Sequence, residues 1–152
     1  MKKLFIFIFS IFAMPGVFAQ QTSTDSIKQT INTMMDAMRK GDTTLLRSVL
    51  EKDMKVLSAS SDWMQKITFS TKSADVFVTQ IGSPHKEIYD EEIIFGDIKI
   101  DGSLASVWTP YKFYFGTTFS HCGVNFFQLA KTDSGWKIIH IAFTSRKNNC
   151  IR

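Results

Sequence analysis

Residues 120–150 read SHCGVNFFQLAKTDSGWKIIHIAFTSRKNNC, and this stretch carries the clearest structural pattern in the chain. Two runs of strand-forming residues flank the polar turn at 132–135, and a cysteine stands at each end. Apolar, β-branched runs around a short turn that contains glycine are typical of a β-hairpin. We therefore expect two long antiparallel strands, in a register that pairs Lys131 with Trp136.

Counting outward from that turn assigns each side chain of the hairpin to one face of a sheet, because side chains alternate along a strand. The inner face should carry the polar residues His121, Asn125, His140 and Thr144. The outer face should carry Cys122, Val124, Phe126, Ile139, Ile141 and Phe143. Both faces are apolar enough to be buried, so helices on one side leave the other face without cover. We expect a homodimer through this outer face.

A second hairpin is predicted around Asp101-Gly102, since this dipeptide between two β-rich runs is a strong turn signal. A two-residue turn there pairs Ile100 with Ser103, which sets Glu92 opposite Tyr111 on the inner face. The same register sets Glu91 opposite Lys112 on the outer face, where Trp108 also lies. Proline within a strand indicates an edge or a bulge, and a bulge at Pro110 would turn Trp108 inward.

Helices are predicted before the sheet. Cap residues at 23–26 precede apolar residues at helical spacing, and Gly41 ends this first helix. Asp42 then caps a second, shorter helix. The methionine-rich stripe of the first helix, Met34, Met35 and Met38, either lines an adaptable pocket or forms ordinary core.

The segment between the helices and the hairpins has weaker patterns. We expect a short strand at 54–57, a polar loop at 58–65 and an edge strand at 66–69. Residues 73–81 suit a third helix that ends before Gly82-Ser83-Pro84. The consecutive apolar residues 76–78 suit a strand equally well.

The chain opens MKKLFIFIFSIFAMPGVFAQ, with two lysines, an apolar run, a Pro-Gly breaker and small-residue cleavage chemistry at Ala19. This pattern predicts a secretory signal peptide over residues 1–19. The alternative, a membrane anchor, fits less well because the apolar run at 4–14 is shorter than the roughly 20 residues that a bilayer requires. Residues 20–152 then have the usual size of a single domain. We expect a secreted or periplasmic protein that leaves the membrane after cleavage.

Charge argues against nucleic acid as a partner. Without Lys2 and Lys3, 16 of the 18 basic residues remain against 14 acidic residues, so the formal net charge falls from +4 to +2. Basic residues are scattered among acidic ones, whereas a nucleic-acid-binding face concentrates them.

The two cysteines, Cys122 and Cys150, stand at the outer ends of the C-terminal hairpin. An even number of cysteines in an exported chain favours a disulfide. The alternative is a metal site of Cys122, His121 and Cys150, which lacks the close ligand spacing of zinc motifs. No metal site is therefore expected.

Several motifs carry a resemblance to a known family. They are IKIDG at 98–102, ASVWTPYKFY at 105–114, SHCG at 120–123, FQL at 127–129, GWKI at 135–138 and the segment 144–150. With two helices ahead of a long hairpin, the chain resembles the nuclear transport factor 2-like superfamily, and within it the secreted SnoaL-like proteins described as lumazine-binding. The resemblance implies a cone-shaped α+β fold, with N-terminal helices packed on a curved antiparallel or mixed β-sheet. It also implies a pocket between the two layers, in a scaffold that is commonly dimeric.

Candidate ligand-binding residues follow from the predicted inner face together with Trp108. They are Glu92, Trp108, Tyr111, His121, Asn125, His140 and Thr144. We expect a protein that binds a small aromatic or heterocyclic molecule. Related scaffolds also support dehydratases and isomerases, which would use His121 or His140 as base and Tyr111 as electrophile. A third alternative is an interaction module whose pocket is filled by its own side chains. No cofactor-binding motif is present, and no cofactor is expected.

Overall fold

Three helices and seven strands make up the part of the chain that the computed structural model describes, residues 16–61 and 66–150. The helices are α1 (Gly16–Lys40), α2 (Thr43–Val49) and α3 (Ala74–Gly82). The strands are β1 (Leu50–Ser61), β2 (Ile67–Ser73), β3 (Tyr89–Ile93), β4 (Ile98–Asp101), β5 (Leu104–Phe115), β6 (Thr118–Thr132) and β7 (Gly135–Ser145). Of the predicted signal peptide, residues 1–15 lie outside the described part. Within the described part, no helix has the length and apolar character needed to cross a bilayer.

Helix α1 begins at Gly16, several residues before the cap that the sequence predicts at 23–26. The Ser26 hydroxyl donates to the Thr22 carbonyl at 2.9 Å, four residues earlier, so it is satisfied inside the helix and does not cap it. The predicted end of α1 at Gly41 is confirmed. Gly41 has φ +63°, and the amides of Gly41 and Asp42 donate to the carbonyls of Met38 and Ala37. This is the Schellman pattern of a glycine-terminated helix.

The two shorter helices have side-chain caps. Asp42 accepts a hydrogen bond from the Leu45 amide at 2.9 Å and starts α2, as predicted. Ser73 caps α3, which resolves the choice between helix and strand for this segment. Val78 and Ile81 are buried while Val76 is 53% exposed, the one-sided burial expected of a surface helix.

The strands form one mixed sheet in the order β2-β1-β7-β6-β5-β3, with β4 also paired to β5. Strands β1 and β7 are parallel, and the other pairs are antiparallel. Strand β1 is much longer than the short strand predicted at 54–57, because β2 and β7 pair with it on both sides. The helices pack on one face of the curved sheet, and Ile27, Ile31 and Leu46 share one buried core with Phe127 and Ile138. The predicted α+β class is confirmed.

The second hairpin differs from its predicted register in two steps. Its turn is Gly102-Ser103, so Asp101 pairs with Leu104, a shift of two residues that leaves the faces unchanged. Further along, Gly96 and Asp97 both lie opposite Trp108: the Gly96 amide donates to the Trp108 carbonyl, and the Trp108 amide donates to the Asp97 carbonyl. Two residues opposite one define a β-bulge.

This bulge exchanges the faces on which the two glutamates of β3 lie. Glu91 pairs with Phe113, whose side chain is buried against the helices, and Glu92 pairs with Lys112. Because paired residues share a face, Glu91 points inward and Glu92 is exposed on the outer face. The predicted inward position of Glu92 is therefore wrong by one residue.

The C-terminal hairpin contains a second bulge. Lys131 pairs with Trp136 as predicted, but Gln128 pairs with His140 while Leu129 still pairs with Ile138, so Ile139 is an extra residue. Beyond it the faces are again reversed. Ile141 and Phe143 face the helices, whereas His140, Ala142 and Thr144 occupy the outer face; the prediction for these residues is wrong.

Pro110 does not turn Trp108 inward, since the irregularity lies in the neighbouring strand. The Pro110 carbonyl accepts from the Ile94 amide at 2.9 Å, so proline sits beside the break between β3 and β4, where its missing N–H is tolerated. Trp108 stays on the outer face, 50% exposed, with its ring 6.2 Å from that of Phe126.

Cys122 and Cys150 form a disulfide, and the pairing predicted from the sequence is confirmed. Cys122 and Arg146 exchange two backbone hydrogen bonds of 2.9 Å, after which residues 147–150 turn back to bring the two Cα atoms within 5.7 Å. Both sulfurs are bonded, so the alternative metal site with two thiolate ligands is excluded. Within 16–61 and 66–150, no cluster of three His, Cys, Asp or Glu side chains has the arrangement of a metal site.

Candidate functional site

A cavity of about 240 Å³ lies between helices α1 and α3 and the inner face of the sheet. Its walls are mostly apolar and include the methionines of α1, so Met34 and Met38 are at once core and cavity lining. The apolar lining consists of Met34, Met38, Val56, Phe77, Ile81, Tyr89, Phe113, Phe115, Ile141 and Phe143. The polar lining consists of Ser58, Ser70, Lys72, Gln80, Glu91, Tyr111, His121 and Asn125.

Glu91 and Asn125 form the central polar pair of this cavity. The Asn125 side-chain amide donates to Glu91 Oε1 at 2.6 Å, and Asn125 is only 5% exposed. Burial raises the pKa of Glu91 to about 7, and the hydrogen bond from Asn125 opposes part of that rise. A carboxyl group with this pKa exchanges its proton readily near neutral pH.

Tyr111 crosses strand β6 at Gly123, its paired residue, and its hydroxyl donates to the Thr144 carbonyl at 2.8 Å. A Cβ at position 123 would lie 1.9 Å from that carbonyl oxygen and 2.7 Å from Tyr111 Cε1, so only glycine fits. Burial, and then the nearby charge of Glu91, raise the pKa of the Tyr111 hydroxyl above its usual value. The single hydroxyl proton of Tyr111 is therefore held by the main chain.

His121 lies beside Tyr111 on the cavity wall. Its ring stacks on Phe113 with centroids 5.0 Å apart and meets Tyr111 edge-on at 5.7 Å. Nδ1 lies 3.0 Å from the Ser120 hydroxyl. Burial, and to a lesser extent the charge of Lys147, lower the pKa of His121, so the imidazole is neutral at neutral pH.

The structure brings together three of the predicted site residues, Tyr111, His121 and Asn125, and separates the rest. Glu92, Trp108 and His140 lie on the outer face. Thr144 contributes only its backbone carbonyl to the inner side, because its hydroxyl accepts a hydrogen bond from the Val124 amide at 3.2 Å.

Besides four other polar residues of the lining, Ser58, Ser70, Lys72 and Gln80, the sequence prediction misses Glu91. Gly96 was the available signal, because an isolated glycine within a strand pattern often marks a bulge or a close backbone approach. A Cβ at Gly96 would lie 2.8 Å from the Trp108 carbonyl oxygen. Counting one extra residue at this glycine would have placed Glu91 inward.

Comparison with known proteins shows the class of fold. No protein-family model matches the chain, and no curated protein matches it. Solved structures do match. A nuclear transport factor 2-like protein of unknown function from Shewanella baltica has a TM-score of 0.65 at 15% identity, covering 87% of this chain and 98% of its own.

Two further solved structures have the same fold. A nuclear transport factor 2-like protein of unknown function from Methylobacillus flagellatus has a TM-score of 0.59 at 20% identity, covering 82% of this chain and 93% of its own. A nuclear transport factor 2-like protein from Cytophaga hutchinsonii has a TM-score of 0.61 at 17% identity, covering 81% and 98%. This chain has the nuclear transport factor 2-like fold. One fold supports many functions, so the function is argued from the cavity.

Proposed function

We propose that this is an exported protein that binds a small molecule in the cavity between helices and sheet. The observation that carries the proposal is a cavity of about 240 Å³ with apolar walls and a buried Glu91–Asn125 pair. Ligand sites combine a largely apolar surface with a few converging polar groups that set orientation. The Glu91 carboxylate would accept a hydrogen bond from an O–H or N–H group of the ligand.

Aromatic side chains support a planar ligand. Tyr89 meets Phe113 and Phe115 with centroids 5.9 and 5.6 Å apart, and Phe113 stacks on His121. Offset and edge-on packing of this kind extends readily to another ring. An aromatic or heterocyclic compound is thus the ligand class that the walls favour, in keeping with the resemblance to SnoaL-like proteins described as lumazine-binding.

Native mass spectrometry of the protein purified from its own host tests this function. We expect an added mass that corresponds to one small molecule per chain, and we expect Glu91→Gln to lose it. Glu92→Gln is the matched control, since it makes the same chemical change one residue away on the outer face. Retention of the molecule by Glu91→Gln would reject Glu91 as the anchoring group.

A lyase or isomerase is the second candidate, because one observation favours it specifically. A carboxyl with a pKa of about 7 in the wall of a cavity has the properties of a general acid or base. Glu91 would move the proton, and neutral His121 would serve as a second acid-base group. Tyr111 would not polarise a carbonyl, because its proton is donated to the Thr144 carbonyl.

Proton exchange separates the enzyme from the binding module. An enzyme of this kind replaces a carbon-bound hydrogen of the retained molecule with deuterium when the wild-type protein is kept in D₂O. A binding module retains the molecule with its carbon-bound hydrogens unchanged. Mass spectrometry of the released molecule reports the difference directly.

A homodimer through the outer sheet face is also part of the proposal. Leu104 and Trp108 lie on that face, 53% and 50% exposed, and the Trp108 ring is next to that of Phe126. Burial of these side chains in a second copy would remove apolar surface from water. Sedimentation should give a dimer that Trp108→Glu dissociates; a monomeric wild type would reject the dimer and leave the cavity proposal intact.

Export rests on the N-terminal pattern, and the Cys122–Cys150 disulfide is compatible with an oxidising compartment. The N-terminal residue of the protein isolated from its host tests it. We expect residue 20, after cleavage at Ala19. An intact Met1–Lys2–Lys3 sequence would contradict export by this route.

A further inference from the structure

The polar groups of the cavity form two clusters, separated along the strand order of the sheet. We call the first the donor cluster: Ser58 on β1, Ser70 and Lys72 on β2, and Gln80 on α3. The second, the acceptor cluster, is Glu91 on β3 with Asn125 on β6. Strands β2 and β1 lie at one end of the sheet and β3 lies at the other, with the apolar side chains of β7 between them.

The donor cluster has hydrogen-bond donors to spare. Lys72 Nζ donates to Gln80 Oε1 at 2.6 Å, and the Ser58 and Ser70 hydroxyl oxygens are 2.7 Å apart. A lysine ammonium has three N–H donors, and one of them is used in the bond to Gln80. The NH₂ group of Gln80 has two further N–H donors, which that bond does not involve. Among the lining residues in the described part of the chain, Lys72 is the one lysine or arginine. This end of the cavity suits an anion.

The acceptor cluster has the opposite chemistry. Asn125 donates to one oxygen of Glu91, and the described residues provide no other hydrogen-bond donor to that carboxylate. The nearby Tyr111 hydroxyl has no proton left to donate to Glu91, because that proton is donated to the Thr144 carbonyl. This end suits a neutral O–H or N–H group.

We propose that the ligand is a small organic acid with its carboxylate at Lys72, an apolar or aromatic body along the cavity wall, and an uncharged hydrogen-bond donor at Glu91. This inference rests on the proposed function, because it names the class of molecule that occupies the same cavity. Bound in the opposite orientation, the same acid would place its carboxylate against Glu91, and like-charge repulsion would oppose that arrangement. The opposed clusters thus fix the direction in which the ligand lies.

Calorimetric titration of the disulfide-intact protein tests the ligand class. The probe is 3-(4-hydroxyphenyl)propanoate, together with its homologues shorter and longer by one methylene, which sample the spacing between clusters. One matched analogue, 3-(4-hydroxyphenyl)propan-1-ol, exchanges the carboxylate for an uncharged hydroxyl group; another, 3-phenylpropanoate, lacks the donor. We expect each analogue to bind about tenfold or more weakly than its parent acid, the loss typical of a charge-assisted hydrogen bond.

Variants assign each end of the probe. Lys72→Met should weaken the binding of the hydroxyphenyl acid about tenfold or more and leave the affinity for neutral 4-propylphenol unchanged. Its control is Lys55→Met, at an exposed β1 position that does not line the cavity. Glu91→Gln should weaken the binding of both probes, and its control Glu92→Gln should weaken the binding of neither.

Two outcomes overturn the inference, and they are distinguishable. If 4-propylphenol binds in a Glu91-dependent way and the acids do not, or if Lys72→Met leaves the acids unaffected, the organic-acid class is wrong and the proposed binding function stands. If no probe binds and the protein from its host carries no retained molecule, both the class and the binding function are rejected.

Discussion

Glu91 is the residue on which the candidate site depends. It is the one carboxylate among the described residues that line the cavity, and it is hydrogen-bonded to Asn125. Desolvation is the largest influence on it and raises its pKa from 4.5 to about 7. An ionisable group kept in such a place costs stability when it is charged, which is characteristic of groups retained for function.

The raised pKa of Glu91 predicts how stability changes with pH. Between pH 4.5 and about 7 the unfolded chain has released the proton that the folded chain still holds, so the free energy of unfolding falls as pH rises through this window. Glu91→Gln lacks the titration. We expect it to gain stability relative to wild type over that window, by up to about 3 kcal/mol.

Denaturant unfolding at pH 4, 5.5, 7 and 8 measures this difference. The control is Glu92→Gln, whose difference from wild type should show no comparable rise. A gap between Glu91→Gln and wild type that stays constant from pH 4 to 8 would show that Glu91 ionises in the folded protein much as it does in the unfolded chain.

Tyr111 links strand β5 to β7 across Gly123 through its hydrogen bond to the Thr144 carbonyl. We expect Tyr111→Phe to lower the free energy of unfolding by about 1 kcal/mol, because a partly buried carbonyl loses its donor. Tyr114→Phe, on the outer face of the same strand, is the control and should stay within about 0.5 kcal/mol of wild type. Equal stability of both variants would show that the Tyr111 hydroxyl is free for a ligand.

At the scale of elements, the sequence predicts most of the architecture, because helix periodicity, capping residues and hairpin turns are local signals. Asp42, Gly41 and the turn at 132–135 all act as predicted. The face of the sheet on which a side chain lies is not determined by local signals in the same way. A single bulge residue reverses every face beyond it, and a strand apolar on both sides hides the reversal.

The two bulges illustrate this limit. The bulge at Gly96 is indicated in the sequence by an isolated glycine within a strand pattern. The bulge at Ile139 lies in the apolar run IIHIAF, where alternation favours neither register. Three of the seven predicted ligand residues consequently line the cavity, and the register predicted from the sequence puts Glu91 on the wrong face.

The bulge at Ile139 predicts opposite effects for two neighbouring residues. Ile141→Ala should cost about 2 to 5 kcal/mol, since Ile141 is 3% exposed and packs in the core beside the cavity. His140→Ala, on the outer face, should cost less than about 1 kcal/mol. Thermal or denaturant unfolding measures both. A larger loss for His140→Ala would restore the simple alternation that the sequence suggested.

At the scale of the whole molecule, the disulfide joins the chain end to the strand that carries His121 and Asn125. Removing it with Cys122→Ser and Cys150→Ser together should lower the free energy of unfolding by about 3 to 4 kcal/mol, the loop-closure contribution expected for a separation of 28 residues. Unfolding curves with and without reductant provide the same comparison in the unmodified chain. Identical curves would show that the closed loop does not constrain the unfolded state.

The nuclear transport factor 2-like scaffold accommodates all of these features, and the structure adds to it a cavity with Glu91 in its wall. The most direct test is the pKa of Glu91, measured from the pH dependence of its side-chain carboxyl carbon by NMR, with Glu91→Gln to assign the resonance. We predict a midpoint near pH 7. A midpoint near 4.5, the ordinary value for glutamate, would place this carboxylate in water and contradict the site proposed here.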